Sequence, residues 1–235
     1  MSDAQDILDE IKPLGSEGYR KVLRHHGVTG PCFGVKIADL KQIQKRIRKD
    51  YRLALALYDT GIYDAMYLAG LIADDARMTR KDLQGWVDQA CGPLAGATVA
   101  WVAAGSPHGW ELAREWIDSD KAMAAVAGWA TLSCLTSIKD DAELDALVLQ
   151  QLLQRVQRTI HQSLDPVRYH MNAFVICIGT CVAALTGLAK EAAEQIGPVH
   201  VDMGRTACQV PAAADSIRKA EARGTIGKKR RTAKC

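Results

Sequence analysis

Four cations in this chain, Lys41, Lys45, Arg48 and Arg52, fall at i, i+4, i+7 and i+11. On one continuous helix they line a single face, with Leu40, Ile43 and Ile47 on the other. At the helical rise they extend over about 16 Å, a row suited to consecutive phosphates. A solvated outer face is the alternative. A second group, Lys228, Lys229, Arg230, Arg231 and Lys234, crowds the last residues. Its natural physical meaning is attraction to a polyanion, strong at low salt and weak at high salt. The alternatives are a solubilising terminus and a nuclear-import run.

Other reactive side chains are more easily explained as packing. Cys177 and Cys181 are spaced i, i+4, but no second pair sits at ligand spacing and their surroundings are apolar, so they read as small core residues. The six histidines show no metal-binding pattern, and no metal or cofactor is expected. Cys32 follows Pro31 in a Gly-rich loop without a local activating base. Five tryptophans are present, four of them between positions 86 and 116. Trp116 and Trp129 read as core. Trp101 and Trp110 flank the loop Gly105-Ser106-Pro107-His108 and are candidates for a concave surface that stacks on bases, with inter-helix packing the alternative.

The elements that must position these groups are helical. Leu57-Tyr58-Asp59-Thr60 is followed by Leu68-Ala69-Gly70-Leu71, and some 58 residues on the pattern returns as Trp116-Ile117-Asp118-Ser119 and Val126-Ala127-Gly128-Trp129. Each copy reads as a helix end, a turn, and a second helix with a small inner step. A helix pair of this kind cannot bury its apolar face alone and must stack on its neighbours. Thr79-x-x-Asp82 reads as a capping box. Asp140 or Asp141 is expected to cap a helix carrying Leu144 to Ile160. Asp165-Pro166 opens a helix expected to run to about Leu185, apolar on all sides after Asn172 and therefore central. Gly197-Pro198 stops the next one. Val199 to Met203 is an extended connector.

The 235 residues, 48% hydrophobic and 24% charged, suffice for a sizeable core. The longest apolar run, about 13 residues, is shorter than the roughly 20 needed to span a bilayer. Seven cysteines without a framework and an acidic N-terminus lacking a leader pattern point to a reduced, cytoplasmic setting. Residues 218–235 hold eight basic side chains and one acidic. The remaining 22 basic and 26 acidic residues give a mildly acidic body with a basic tail. The tail from Gly224 on is expected to lack fixed structure in isolation.

The stretches Gly34-Val35-Lys36-Ile37-Ala38-Asp39-Leu40, Ala69-Gly70-Leu71-Ile72-Ala73-Asp74 and Ala127-Gly128-Trp129 resemble the AlkD-like DNA alkylation repair family, over about residues 20 to 190. The resemblance implies a curved stack of HEAT-like helix pairs. Active members are glycosylases that remove cationic alkylated purines, using a Trp, an Asp and an Arg. Where the Trp and Asp are expected this chain has Cys91-Gly92-Pro93-Leu94-Ala95-Gly96, and where the Arg is expected it has Val126. No catalytic residue is therefore carried over. Asp88 lies close by but belongs to the Thr79-capped helix. Residues 168–174 and the region from Asp202 to Pro211 resemble a distinct subgroup of the family. Within them Arg168 and Asn172 are candidates to face the groove, Asn172 alternatively bracing backbone.

The expected fold is an all-α, right-handed α-solenoid of HEAT-like helix pairs over residues 1–223, followed by a basic tail, 224–235. The expected function is binding of double-stranded DNA without the usual glycosylase chemistry. The alternatives are a glycosylase with relocated residues and a scaffold holding a protein partner in its groove. No membrane partner is expected.

Overall fold

The computed structural model describes residues 3–204 and 206–234, so Met1, Ser2, Arg205 and Cys235 lie outside the described residues. Among them are thirteen α-helices and no strand. The chain begins with α1 (Ala4–Ile11), α2 (Glu17–His25) and α3 (Ile37–Ile47). It continues through α4 (Tyr51–Tyr58), α5 (Tyr63–Ile72), α6 (Arg80–Gln89) and α7 (Ala100–Gly105), the last preceded by a π-helical turn at Ala95–Val99. Then come α8 (Gly109–Trp116), α9 (Ala122–Ile138), α10 (Ala146–Thr159), α11 (Asp165–Cys181), α12 (Thr186–Ile196) and α13 (Ala213–Ala222).

Neighbouring helices pack in pairs, α4 on α5, α8 on α9 and α10 on α11. The second members stack into a central row, α5 against the π turn, the π turn and α7 against α9, and α9 against α11. This is the expected α-solenoid. Every residue of α5 is buried, and α9 is buried along most of its length, which explains why neither shows a polar face. Tyr58 stacks on Trp86 with centroids 4.1 Å apart, and Trp129 meets Phe174 at 5.3 Å, joining successive pairs.

The doubled Ala-Gly step is a contact device in both copies, but with different partners. A side chain at Gly70 would collide with Thr98 of the next pair. One at Gly128 would come within 2.7 Å of Ile117 and 2.8 Å of the Ala113 carbonyl, so this step seats α9 on its own partner α8.

Local signals fared unevenly. The Thr79–Asp82 capping box opens α6, and Gly197, at φ +67°, ends α12. Three expectations need correction. The Lys41–Arg52 row is not one helix face. Arg48 adopts a left-handed φ of 66° after α3 ends, and Asp50 caps a new helix by accepting the Leu53 N–H at 3.0 Å. Lys41 and Lys45 thus sit on α3, Arg48 at its end and Arg52 on α4. Asp140 caps only a short 3-10 turn, and Asp145 caps α10 instead, leaving Leu144 outside it. Asp165 is inside α11 rather than its cap, and α11 stops at Cys181, before a short 3-10 turn leads into α12.

The basic tail lies against the body as a strap. Gly227 N–H donates to the Thr180 carbonyl at 2.9 Å, and Arg230 N–H to Ser137 at 2.7 Å. Lys229 Nζ donates to Thr136 at 2.9 Å and pairs with Asp141 at 2.7 Å. Lys234 Nζ donates to Ala73 at 2.8 Å and pairs with Asp75 at 2.7 Å. These acceptors lie at the C-terminal ends of α11, α9 and α5. The strap therefore retraces the central row backwards along one edge. Helix C-termini expose carbonyls without intrahelical partners and carry partial negative charge, which accounts for cationic partners there.

Candidate nucleic-acid interface

Of the nine cations singled out in sequence, Lys229 and Lys234 are consumed by the strap's own docking, with side chains 16% and 14% exposed. Lys228, Arg230 and Arg231 are exposed, as are Lys45, Arg48 and Arg52, with Lys41 half-buried. None of these seven makes an ion pair among the described residues. The strap's end and the α3–α4 turn meet, because Asp50 N–H bonds the Ile72 carbonyl and Lys49 pairs with Asp74 at 3.6 Å, beside Asp75. The exposed strap cations and the Arg48 turn thus follow one edge of the stack.

The aromatic candidates belong to the same edge. Trp101 and Trp110 are half-buried against a small cluster of Ala104, Leu135 and the strap residue Ala233. Trp101 also meets Tyr67 edge-on at 5.6 Å. Both rings pack against the strap through Ala233. Arg168 and Asn172 are braces as well. The Arg168 guanidinium donates to the carbonyls of Ile160, His161, Ser163 and His200, and Asn172 Nδ2 donates to Pro211 at 2.9 Å. Both hold the 197–212 connector against α11.

Three of the thiols, Cys32, Cys134 and Cys177, are not poised for chemistry. Burial, and then Asp64, raise Cys32, while burial pushes Cys134 and Cys177 up to about 12. Asp64 spends its own carboxylate on the N–H groups of Phe33, Gly34 and Val35. Asp88 sits on the outer helix α6, bonded to Lys121 at 3.1 Å and Gln84 at 3.3 Å.

At the opposite ends of α9 and α11 is a cavity of about 530 Å³ that sequence reasoning missed. Gly92, Pro93 and Val126, the positions at which the resemblance expects catalytic groups, lie in its wall. Met123 from the first turn of α9 and Tyr169 and His170 from α11 complete that wall. His170 fits because Gly96 has no side chain, since a Cβ there would strike the imidazole. Its ring lies 5.3 Å from Tyr169 at 82°, and burial lowers its pKa to about 4, so the ring is neutral at pH 7. The connector closes one side, with Asp202 N–H donating to the Asp165 carboxylate at 2.7 Å. The other Asp165 oxygen pairs with Arg168 at 3.2 Å. His25 and His26 form the rim, next to exposed Lys21 and Arg24 on α2. The crowding of Arg20, Lys21, Arg24, His25 and His26 was the available sequence signal.

With this geometry in hand, the similarities to known proteins are informative. An uncharacterized protein of Listeria monocytogenes is 32% identical over 93% of this chain and 97% of its own length. An uncharacterized protein of Listeria innocua is 31% identical over the same shares. A solved structure superposes with a TM-score of 0.91 at 32% identity, covering 100% of both chains. It is described as belonging to a new family of proteins related to the HEAT-like repeat DNA glycosylases with affinity for branched DNA structures. The family model for DNA alkylation repair enzymes matches residues 7–180, and the chain belongs to that family.

Proposed function

We propose that this protein binds DNA, branched DNA in particular, through its phosphates and without glycosylase chemistry. The observation that carries this is the placement of two groups of exposed cations at opposite ends of the central helices. Lys228, Arg230, Arg231 and Arg48 follow the C-terminal edge of the central helices, while Lys21 and Arg24 lie on α2 next to the rim histidines of the cavity, near the N-terminal ends of α9 and α11, with the Arg24 guanidinium also donating to the Val28 and Thr29 carbonyls. Each of these 17-residue helices separates its two ends by roughly 25 Å. Two basic surfaces this far apart suit two arms of a branch better than one straight duplex. The structural relative's affinity for branched DNA supports the same reading.

The absence of chemistry is proposed from the cavity wall. Glycosidic cleavage needs a carboxylate placed to stabilise a cationic sugar and orient water. Val126 and Gly92-Pro93 offer none. Two carboxylates stand elsewhere in the wall: both oxygens of Asp165 are engaged, and Asp202 accepts the Gly204 N–H at 2.8 Å. The test is fluorescence anisotropy with a four-way junction and a linear duplex of equal length, run beside an assay of base release from alkylated DNA. Tighter binding to the junction with no release above the uncatalysed rate is expected. Release comparable to an active glycosylase would instead establish an enzyme with relocated residues. Binding of neither DNA would favour a protein partner in the groove.

A further inference from the structure

Seven of the nine residues of α2 are exposed, and only Leu23 is buried. Among the described residues no other helix packs closely along it. A helix this short with so little burial is marginal on its own. Local fastenings hold it instead. The Ser16 hydroxyl accepts the Tyr19 N–H at 3.2 Å, and the Arg24 guanidinium donates to the Val28 and Thr29 carbonyls at 3.2 and 2.8 Å. The loop after α2 returns to its first turn, where the Ser16 N–H donates to the Gly34 carbonyl at 3.0 Å. Gly34, at φ +78°, allows this approach, because a side chain there would strike Ser16 and Arg20. That loop is tied to the core by Asp64 of α5, itself 1% exposed, which accepts the N–H groups of Phe33, Gly34 and Val35. A buried carboxylate thus fixes a loop, and the loop fixes a helix that stands clear of the body.

Opposite Leu23 the helical repeat places a ridge of Gly18, Lys21 and His25, all exposed. A Cβ at Gly18 would meet nothing within 4 Å. Val22 and His26 stand on the flank toward Thr206–Cys208 of the connector, and Arg24 on the other flank. The acid of this helix, Glu17, is paired with Arg20 at 3.0 Å. We propose that α2 enters the major groove of one duplex arm of branched DNA, an inference that rests on the DNA-binding reading above. A helix with its side chains is about 10–12 Å across, which the major groove, about 12 Å wide, admits and the minor groove, about 6 Å wide, does not. Lys21 and the flanking cations then meet the phosphates of the groove walls. The fixed mount matters because a helix already ordered loses less entropy on binding.

The experiment is dimethyl sulfate probing of a four-way junction with guanines along every arm, since guanine N7 faces the major groove. Bound wild type is expected to protect a short run of N7 atoms within an arm. Gly18→Glu sets a carboxylate on the ridge with nothing to collide with. It is expected to remove the protection and to weaken junction binding at least about tenfold, by like-charge repulsion in the groove. Gly85→Glu makes the same change of charge at an equally open glycine on the outer helix α6 and is expected to do neither. Lys21→Glu serves if Gly18→Glu fails to fold. Unchanged N7 reactivity under bound wild type overturns groove insertion while leaving DNA binding intact. Protection that survives in a folded ridge variant also overturns it, because another element then fills the groove. Equal weakening by Gly18→Glu and Gly85→Glu does so too, since only net charge is then felt. A wild type that does not bind the junction overturns groove insertion and the DNA-binding reading together.

Discussion

Lys234, near the end of the chain, places its ammonium 2.7 Å from the Asp75 carboxylate beyond the end of α5, and neither side chain is more than 18% exposed. Burial raises the Asp75 pKa and lowers that of Lys234, each opposed by the other's charge. The contact fastens the far end of a strap whose other anchors are Thr180, Ser137, Thr136 and Asp141. A terminus that looks like a solvated basic tail is therefore a tie across the stack.

Breaking one partner of a buried pair typically costs about 3–5 kcal/mol. Here the loss is capped, because the strap can lift and let water reach Asp75. Lys234→Met should therefore destabilise by about 1–3 kcal/mol, and removal of residues 224–235 by no less. Denaturant midpoints for the two variants check this. A full-length-like midpoint for the truncated protein would show that the strap contributes nothing to stability.

The two kinds of helical glycine make opposite forecasts. Gly128→Ala forces a methyl group against Ile117 and the Ala113 carbonyl, an overpacking that costs about 1–3 kcal/mol. Gly85 lies inside α6 with open space around its Cβ position, and Gly85→Ala should stabilise by about 0.5–1 kcal/mol. Thermal melts of both variants, with Tm moving in opposite directions, are the check.

His170 gives the fold a pH dependence of known sign. Its pKa drops from an ordinary 6.5 to about 4 on folding, so the unfolded chain binds more protons between those values. Its contribution is intact above 6.5 and is lost as pH falls toward 4, a change of roughly 3 kcal/mol in all. His170→Gln, uncharged throughout, should flatten that part of the stability-versus-pH curve. Identical curves for wild type and variant between these limits would show that the imidazole is not desolvated.

The strap's cations should separate by role. Lys228→Ala, Arg230→Ala and Arg231→Ala together remove exposed charge, weakening DNA binding and reducing the salt slope by up to about 3 with little change in stability. Lys229→Ala should act the other way round, lowering the melting temperature more than the affinity, because its ammonium is spent on Thr136 and Asp141. Parallel melts and binding isotherms distinguish the two groups.

Signals confined to a few neighbouring residues were legible in sequence. The Thr79–Asp82 box, the stop at Gly197 and the Ala-Gly steps each state a local requirement of the backbone, and together they gave the helical stack. The break at Arg48 was not legible, since the i, i+4, i+7 spacing runs straight through it and only Asp50's preference for capping opposes it. The strap was missed because basic composition looks the same whether its partner is water or a helix C-terminus elsewhere in the chain. The cavity was missed for a related reason. Periodicity shows that Tyr169 and His170 share a helix, but not that Gly96 and Pro93 face them across the stack.

The central claim is that DNA is held by its phosphates on two basic surfaces, and the salt dependence of affinity for a four-way junction tests it most directly. Between about 50 and 200 mM salt, log affinity should fall linearly with log salt, with a slope of about −0.9 for each phosphate contacted. Several contacts over the two surfaces would make the loss at least tenfold. An affinity unchanged across that range would contradict the account.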